Sequence, residues 1–181
     1  SSNAEAFVPS AHQFTYFQAA GFDCSLLSFL QIDPDGSVNV SRLAARPHVT
    51  AGAGGFVDIT TRARRIIYSG FFNAGAKMHV GDGKLHIEKE GKVRKLTRVL
   101  DQVSFSGKRG KAQGQDVTYV TERCVMKLTP AGIMVTEIAP GVDLQVNILD
   151  QSEFPLIVAP DLKTMDANLF RPEKLGLKLH D

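Results

Sequence analysis

The sequence predicts a mixed α/β fold, built as one domain. Short apolar runs of strand character recur between turn signals: Arg65 to Phe72, Val117 to Val120, Cys124 to Leu128 and Ile133 to Ile138. Helical pieces alternate with them, one ending at Ala63 and one following Asp143. Between ordered elements lies the run Ala51-Gly52-Ala53-Gly54-Gly55-Phe56-Val57-Asp58-Ile59. Its three glycines in four positions leave the backbone bare, which suits a tight turn or close approach to a ligand.

Residues 5–31 mix aromatic and apolar side chains, and Ser25 to Gln31 reads as a short buried strand. Asp33-Pro34-Asp35-Gly36 is a turn, with Pro at its second position and Gly at its fourth. Val38 and Val40 then alternate with polar residues, so 26–41 reads as a hairpin. Arg42 to Thr50 is a loop into the glycine run, after which Asp58 or Thr60 caps a short helix. Met78 to Val80 and Leu85 to Glu88 flank Gly81-Asp82-Gly83-Lys84, a hairpin signature. Val93 to Val99 reads as a strand, Val103 to Phe105 as a short one, and Gly107 to Gln113 as a basic turn or helix. Thr129-Pro130-Ala131-Gly132 turns between two strands, and Ala139-Pro140-Gly141 is a break. Asp143 caps a helix carrying Leu144, Ile148 and Leu149. From Phe154 the chain is a Pro-punctuated tail, frayed from Arg171 to Asp181.

Composition bounds the function. A chain of 181 residues builds one real core and is short for two. With 43% hydrophobic and 22% charged residues it reads as soluble and globular. A net charge of +2 gives no global field for nucleic acid. No apolar stretch approaches the roughly 20 residues of a membrane span, and no secretion signal opens the chain. Cys24 and Cys124 do not make a disulfide framework, so a reducing cytoplasm is expected.

Most chemical constellations fail. His12, His48, His79, His86 and His180 lack zinc-type spacing, although His79 and His86 can face each other across the hairpin as solvated side chains. There is no Gly-x-Ser-x-Gly elbow, and Cys124 sits in an apolar strand that favours packing. Val57 breaks the dinucleotide fingerprint. The basic stretch Lys84, Lys89, Lys92, Arg94, Lys95, Arg98, Lys108, Arg109 and Lys111 reads as a solvated hairpin face, with a phosphorylated ligand or RNA as the alternative. No aromatic stands between Phe72 and Phe105 to stack a base, which counts against RNA. The glycine run remains. Backbone donors at such a junction suit a phosphate or the oxyanion of acyl chemistry.

Its neighbours give that run a context. The chain reads Gln115-Asp116-Val117-Thr118-Tyr119-Val120-Thr121-Glu122-Arg123-Cys124-Val125, then Leu128-Thr129-Pro130-Ala131-Gly132. Thr136-Glu137-Ile138-Ala139-Pro140-Gly141-Val142-Asp143-Leu144 follows, with Leu162-Lys163-Thr164-Met165-Asp166-Ala167-Asn168-Leu169-Phe170 near the end. Together with Gly52-Ala53-Gly54-Gly55-Phe56 and Val103-Ser104-Phe105-Ser106-Gly107, these resemble the C-terminal part of the family I CoA-transferases. Within that family the look is that of the single-chain short-chain acyl (acetate/propionate) enzymes, in order from about Ala6 to Phe170.

The resemblance implies a three-layer, open-sheet α/β CoA-transferase (ribose-isomerase-like) fold, of which this is the C-terminal half with an appended β-hairpin. Residues 1–170 are then a partial domain lacking its first strands, and 171–181 a tail. It also implies a ping-pong reaction. A glutamate attacks an acyl-CoA, a glutamyl-CoA thioester forms through an anhydride, and an incoming short carboxylic acid accepts the CoA. Gly52, Gly54, Gly55 and Phe56 match the family's oxyanion loop, with the Gly54 and Gly55 amides as donors. The substrate and CoA pocket is expected to draw on Gly52, Ala53, Phe56, Gln13, Ala20 and Gly21.

Two departures stand out. No residue matches the family's catalytic glutamate: Glu5 is misplaced, and Glu122 and Glu137 fall in strand motifs. A three-glycine run of the family reads Ala19-Ala20-Gly21 here, and two added methyls would narrow what that loop lines. Ser1-Ser2-Asn3-Ala4 contains Ser-Asn-Ala, a common tag remnant, yet Asn3-Ala4-Glu5-Ala6 also fits the family pattern. The expectation is a chain inactive alone, with coenzyme A as substrate rather than bound cofactor and no metal. Its partners are the N-terminal half of the same enzyme, as one chain or two, and further copies in a homo-oligomer. Nucleic acid and membrane are not expected. The alternatives are a non-catalytic CoA-binding or assembly module of the same fold, and a nucleic-acid or phosphosugar binder using the basic hairpin.

Overall fold

The computed structural model describes residues 6–48 and 52–176. Asn3, Ala4 and Glu5, Ala51 of the glycine run, and the last five residues of the expected frayed tail lie outside them.

The aromatic opening segment is a helix, α1 (Ser10–Ala20), which the sequence reading missed. Phe14 and Phe17, three apart, form its only stripe, with rings 5.7 Å apart. Pro9 precedes the helix, and Gly21 ends it at φ 75°. Strand β1 (Cys24–Ser28) follows. The expected 26–41 hairpin shrinks to β2 (Gln31–Ile32) and β3 (Val38–Asn39), because β1 pairs elsewhere. The turn between them is as expected: Gly36 has φ 80°, and the Asp33 carboxylate accepts from the Ser37 amide.

Helix α2 (Phe56–Arg62) starts ahead of the expected caps Asp58 and Thr60, and no side chain caps it. Gly55 begins the helix instead, through the Ile59 N–H to its carbonyl. Strand β4 (Arg65–Ser69) is followed by β5 (Asn73–Ala74), β6 (Lys77–Gly81) and β7 (Lys84–Lys89). The β6–β7 hairpin is the expected appendage, turning at Asp82 and Gly83 with φ 54° and 73°. It docks through buried Leu85, whose amide donates to the Pro140 carbonyl.

The strand expected over 93–99 is only β8 (Val93–Arg94), since the following residues ladder with nothing but a single bridge from Leu96 to Ile32. Phe105 likewise makes one bridge, to Val38. Helix α3 (Gly107–Ala112) is capped by Ser106. The meander β9 (Asp116–Val120), β10 (Cys124–Thr129) and β11 (Gly132–Ile138) matches the sequence. Asp143 caps α4 (Leu144–Asn147) as expected, but the helix tightens into a 3₁₀ turn at Leu149–Gln151. The Pro-punctuated tail holds β12 (Ile157–Thr164), an eight-residue strand. Pro160 is tolerated because β12 is an edge, where a missing N–H breaks no ladder.

The central sheet is open, in order β1-β4-β9-β10-β11-β12. β1, β4 and β9 run parallel, as do β11 and β12. One face packs tightly. Phe56 of α2 stacks on Tyr68 at 5.8 Å and Tyr68 on Tyr119 at 5.7 Å, with Phe105 closing the cluster at 5.6 Å from Tyr68. The Tyr119 hydroxyl donates to the Gly36 carbonyl at 2.6 Å, tying the β2–β3 turn to the sheet. Burial pushes both tyrosine hydroxyls far above their usual range.

Candidate functional site

The glycine loop lies at the carboxyl ends of the parallel strands. The amides of Arg64 and Arg65 donate to the Phe22 and Asp23 carbonyls, so the C-terminal end of α2 sits where β1 begins. Seven residues of helix span roughly 10 Å, which places Gly52–Gly55 at the opposite end. Open α/β sheets bind ligands at that end.

Locally the loop is a tight turn. Gly54 has φ 52°, a backbone that L side chains avoid, and a Cβ there would meet no atom within 4 Å. The Phe56 amide closes the turn on the Ala53 carbonyl at 3.0 Å. Buried Phe56 anchors the loop to the aromatic cluster. Among the described residues, the Gly54 and Gly55 amides have no hydrogen-bond partner. Gly54 and Gly52 are exposed, and Ala53 and Gly55 are half-buried. Glycine at 55 has a packing cause as well, since the Phe14 ring of α1 occupies the space a Cβ would need.

The structure brings only some of the expected site residues together. Gln13, exposed on α1, adjoins Phe14 and so lies at the level of the loop. Ala20 and Gly21 lie at the far end of α2, where a Cβ on Gly21 would stand 2.7 Å from the Arg62 carbonyl oxygen. Ala19 and Ala20 are exposed on the last turn of α1. A basic groove of about 680 Å³, lined by Arg62, Arg64, Arg109 and Gln115, also sits at that far end.

Glu122 is engaged structurally. One of its oxygens accepts from the Phe72 amide at 2.9 Å and the other from Arg123 Nε at 3.0 Å. Glu137 lies within β11, opposite Val125 and Lys163. Cys124 is buried, and its thiol is pushed up to about 12, mainly by desolvation. His79 and His86 stack across the hairpin at 4.7 Å, both exposed, and His79 Nδ1 lies 2.9 Å from Glu88. Among the described residues there is no group of three metal-ligating side chains, and no helix is long and apolar enough to cross a membrane.

Lys95 is a residue the sequence reading left inside the basic stretch. Its ammonium lies 4.2 Å over the Phe29 ring, just beyond β1, and 3.3 Å from where a Gly70 Cβ would stand, just beyond β4. It is therefore a half-buried cation at the carboxyl end of the sheet. Among the described residues it forms no salt bridge. Desolvation lowers its pKa to about 8 from 10.5, against the opposing charge of Glu122. As pH rises the folded chain loses this proton first, so stability rises between about 8 and 10.5, and the penalty is complete below 8. Lys95→Met is expected to raise the urea midpoint at pH 7, with the gain shrinking towards pH 10.5. A gain independent of pH would refute this.

No family model matches the chain. Curated relatives do. Caffeate CoA-transferase of Acetobacterium woodii is 42% identical over 179 residues, 98% of this chain and 34% of that protein. Acetate CoA-transferase YdiF of Escherichia coli O157:H7 is 40% identical over 178 residues, 98% of this chain and 33% of that protein. Acetate CoA-transferase subunit beta of Escherichia coli K12 is 26% identical over 164 residues, 91% of this chain and 65% of the subunit. The crystal structure of YdiF as a thioester complex with CoA superposes with a TM-score of 0.91 at 40% identity, over 98% of this chain and 34% of that one. The chain thus spans about a third of the length of the first two relatives. Along 98% of its length the chain is thus similar to CoA-transferases of family I.

Proposed function

We propose that this chain is the C-terminal portion of an acyl-CoA:carboxylate CoA-transferase. It supplies the oxyanion loop and part of the CoA and acyl pocket. The observation that carries this reading is the 40–42% identity to named CoA-transferases along 98% of the chain. The unpartnered Gly54 and Gly55 amides at the carboxyl end of the sheet support it.

In this mechanism a glutamate on the rest of the enzyme attacks the acyl-CoA carbonyl. The tetrahedral oxyanion sits on the Gly54 and Gly55 N–H groups, which are aimed before the reaction begins. Collapse expels CoA thiolate and leaves a mixed anhydride. The thiolate then attacks the glutamyl carbonyl and releases the first acid, giving the enzyme thioester. A second carboxylate reverses these steps and leaves as its own acyl-CoA. Gly52, Ala53 and Phe56 hold the loop, and Gln13 borders it. Lys95 offers a cation to the incoming carboxylate. Ala20 and Gly21 shape α1 rather than the reacting centre. Two unpaired cysteines suit a reducing cytoplasm, and the working enzyme is a homo-oligomer carrying its N-terminal half in the same or a companion chain.

The purified 181-residue chain is expected to give no CoA exchange between acetyl-CoA and labelled acetate. Combined with the remaining two thirds of YdiF, it is expected to restore exchange and to yield a borohydride-reducible glutamyl thioester. Exchange by the chain alone, or an assembled pair in which borohydride reduces nothing, would overturn the proposal. The second result would favour a non-catalytic CoA-binding module.

A further inference from the structure

Several cations of the molecule have acidic partners: Lys108 with Asp35, Arg64 with Asp23, and Arg123 with Glu90 and Glu122. At the base of the β6–β7 hairpin four do not. Arg46, Lys77, Lys89 and Lys92 line one pocket of about 270 Å³. Among the described residues none of the four forms a salt bridge or a side-chain hydrogen bond. Glu90 is the acidic residue of the lining, and its carboxylate is taken by Arg123 Nη1 and by the Asn147 side-chain amide.

The fold brings these cations together against their repulsion. β6 and β7 pair so that Lys77 stands directly opposite Lys89. Like charges at opposed positions destabilise an antiparallel pair. The register slips between Lys77 and Met78, a bulge of the kind that re-aims a side chain. β5 pairs with β8, which sets Ala74 beside Val93, and Lys92 leads into that ladder. Gly91 permits the approach, since a Cβ there would stand 2.6 Å from the Ala74 carbonyl oxygen. Arg46 arrives from a separate loop after β3. An outside anion would offset the repulsion. Local rules of this kind are broken chiefly at functional sites.

We propose that Arg46, Lys77, Lys89 and Lys92 form a phosphate-binding site. Three ammonium groups and a guanidinium suit a ligand with more than one negative charge spread over several oxygens. A phosphate monoester or a diphosphate is such a group, and a monocarboxylate is not. The volume takes the phosphate head and leaves the rest of the ligand outside, since pockets for whole ligands run from about 300 to 1,000 Å³. Two sources share this chemistry. Coenzyme A carries its phosphates at the opposite end of a long uncharged arm from its thiol. Arg46 precedes Gly52 by six residues, within about 20 Å by chain length, so one CoA can bring its thioester to the loop and its phosphates here. The other source is a free phosphorylated compound that binds apart from the loop. The site itself does not rest on the proposed function, and only the first source does.

Pyrophosphate is the probe. Calorimetric titration of the 181-residue chain is expected to show one site. Lys77→Gln or Lys89→Gln is expected to weaken it at least about tenfold, the scale of one lost charged hydrogen bond. Lys111→Gln on α3 removes the same charge away from the pocket and is expected to leave the affinity unchanged. Without ligand, Lys77→Gln is expected to melt no lower than the parent chain, because repulsion from Lys89 is relieved.

Competition reads the source. Displacement of pyrophosphate by CoA but not by pantetheine assigns the phosphates to CoA. In the pair assembled with the remaining two thirds of YdiF, Lys77→Gln would then raise KM for acetyl-CoA more than it lowers kcat. Pyrophosphate and CoA bound together assign the site to a separate phosphorylated compound. No binding of pyrophosphate, or equal binding by the parent chain and Lys77→Gln, overturns the proposal. So does a matching loss in Lys111→Gln, which would mean a diffuse basic field of the kind that holds RNA. A fall in the melting temperature of ligand-free Lys77→Gln does the same, since the lysine would then have a structural partner. Pyrophosphate binding in an assembled pair that shows no exchange keeps this site and removes the proposed function, and exchange without pyrophosphate binding does the reverse.

Discussion

Replacing Arg123 with alanine is expected to lower the free energy of unfolding by about 3–5 kcal/mol, the loss seen when one partner of a buried ion pair is removed. The side chain is fully buried. Its Nε bonds Glu122 at 3.0 Å, and its Nη1 donates to Glu90 Oε1 and to the Asn147 carbonyl, both at 2.9 Å. The second Glu90 oxygen lies 2.8 Å from the same Nη1. The guanidinium stands 5.3 Å over the Phe72 ring. Alanine would strand two poorly solvated carboxylates and open a cavity. Lysine is expected to recover little, because a point charge cannot replace a planar fork that serves three acceptors. Urea denaturation of the two variants checks this, and a loss below about 1 kcal/mol would place Arg123 among ordinary surface pairs. Glu90 follows β7, so hydrogen exchange in the β6–β7 hairpin should quicken in Arg123→Ala.

The second large effect belongs to Gly55. An alanine Cβ there runs into the Phe14 ring, so either the loop or α1 must move. In the assembled enzyme, Gly55→Ala is expected to reduce kcat by about 10²–10³-fold, the scale of losing one oxyanion donor. Phe14→Ala in the same chain removes the obstruction and is expected to return much of that loss. Gly54→Ala provides the contrast, since its Cβ would meet nothing and only the φ of 52° is strained, at about 1–2 kcal/mol. Full activity in Gly55→Ala would remove its amide from the proposed mechanism.

Local chemistry was the legible part of the fold. Asp82-Gly83, Thr129 to Gly132 and the Asp143 cap each encode their geometry within four residues, and each element formed where expected. Elements that depend on distant partners were not legible. β12 exists because β11 offers it a parallel edge, against the local warning of Pro160. The strand expected to continue β2 pairs with β4 instead, a partner no turn announces. α1 lacks a long apolar stripe and takes its seat from Gly55 and α2. The site divides in the same way. Bare glycines at 54 and 55 could be seen in the sequence, and the anchoring Phe56 was part of the same run. Lys95 could not be told from its basic neighbours, because Phe29 and Gly70 make its surroundings. Arg123 beside Glu122 reads like a solvated pair until Phe72, Glu90 and Asn147 close around it.

The two borders of the sheet have different consequences for self-association. β12 is a defended edge: Pro160 withholds a donor, Asp161 and Lys163 place charge along it, and its pairing with β11 slips between Val135 and Glu137. A foreign strand finds no continuous ladder there. β1, Cys-Ser-Leu-Leu-Ser, carries no proline, no charge and no bulge, and its outer edge is unpaired among the described residues. Addition of strands, by orderly assembly or by aggregation of the isolated chain, is thereby directed to one side of the molecule.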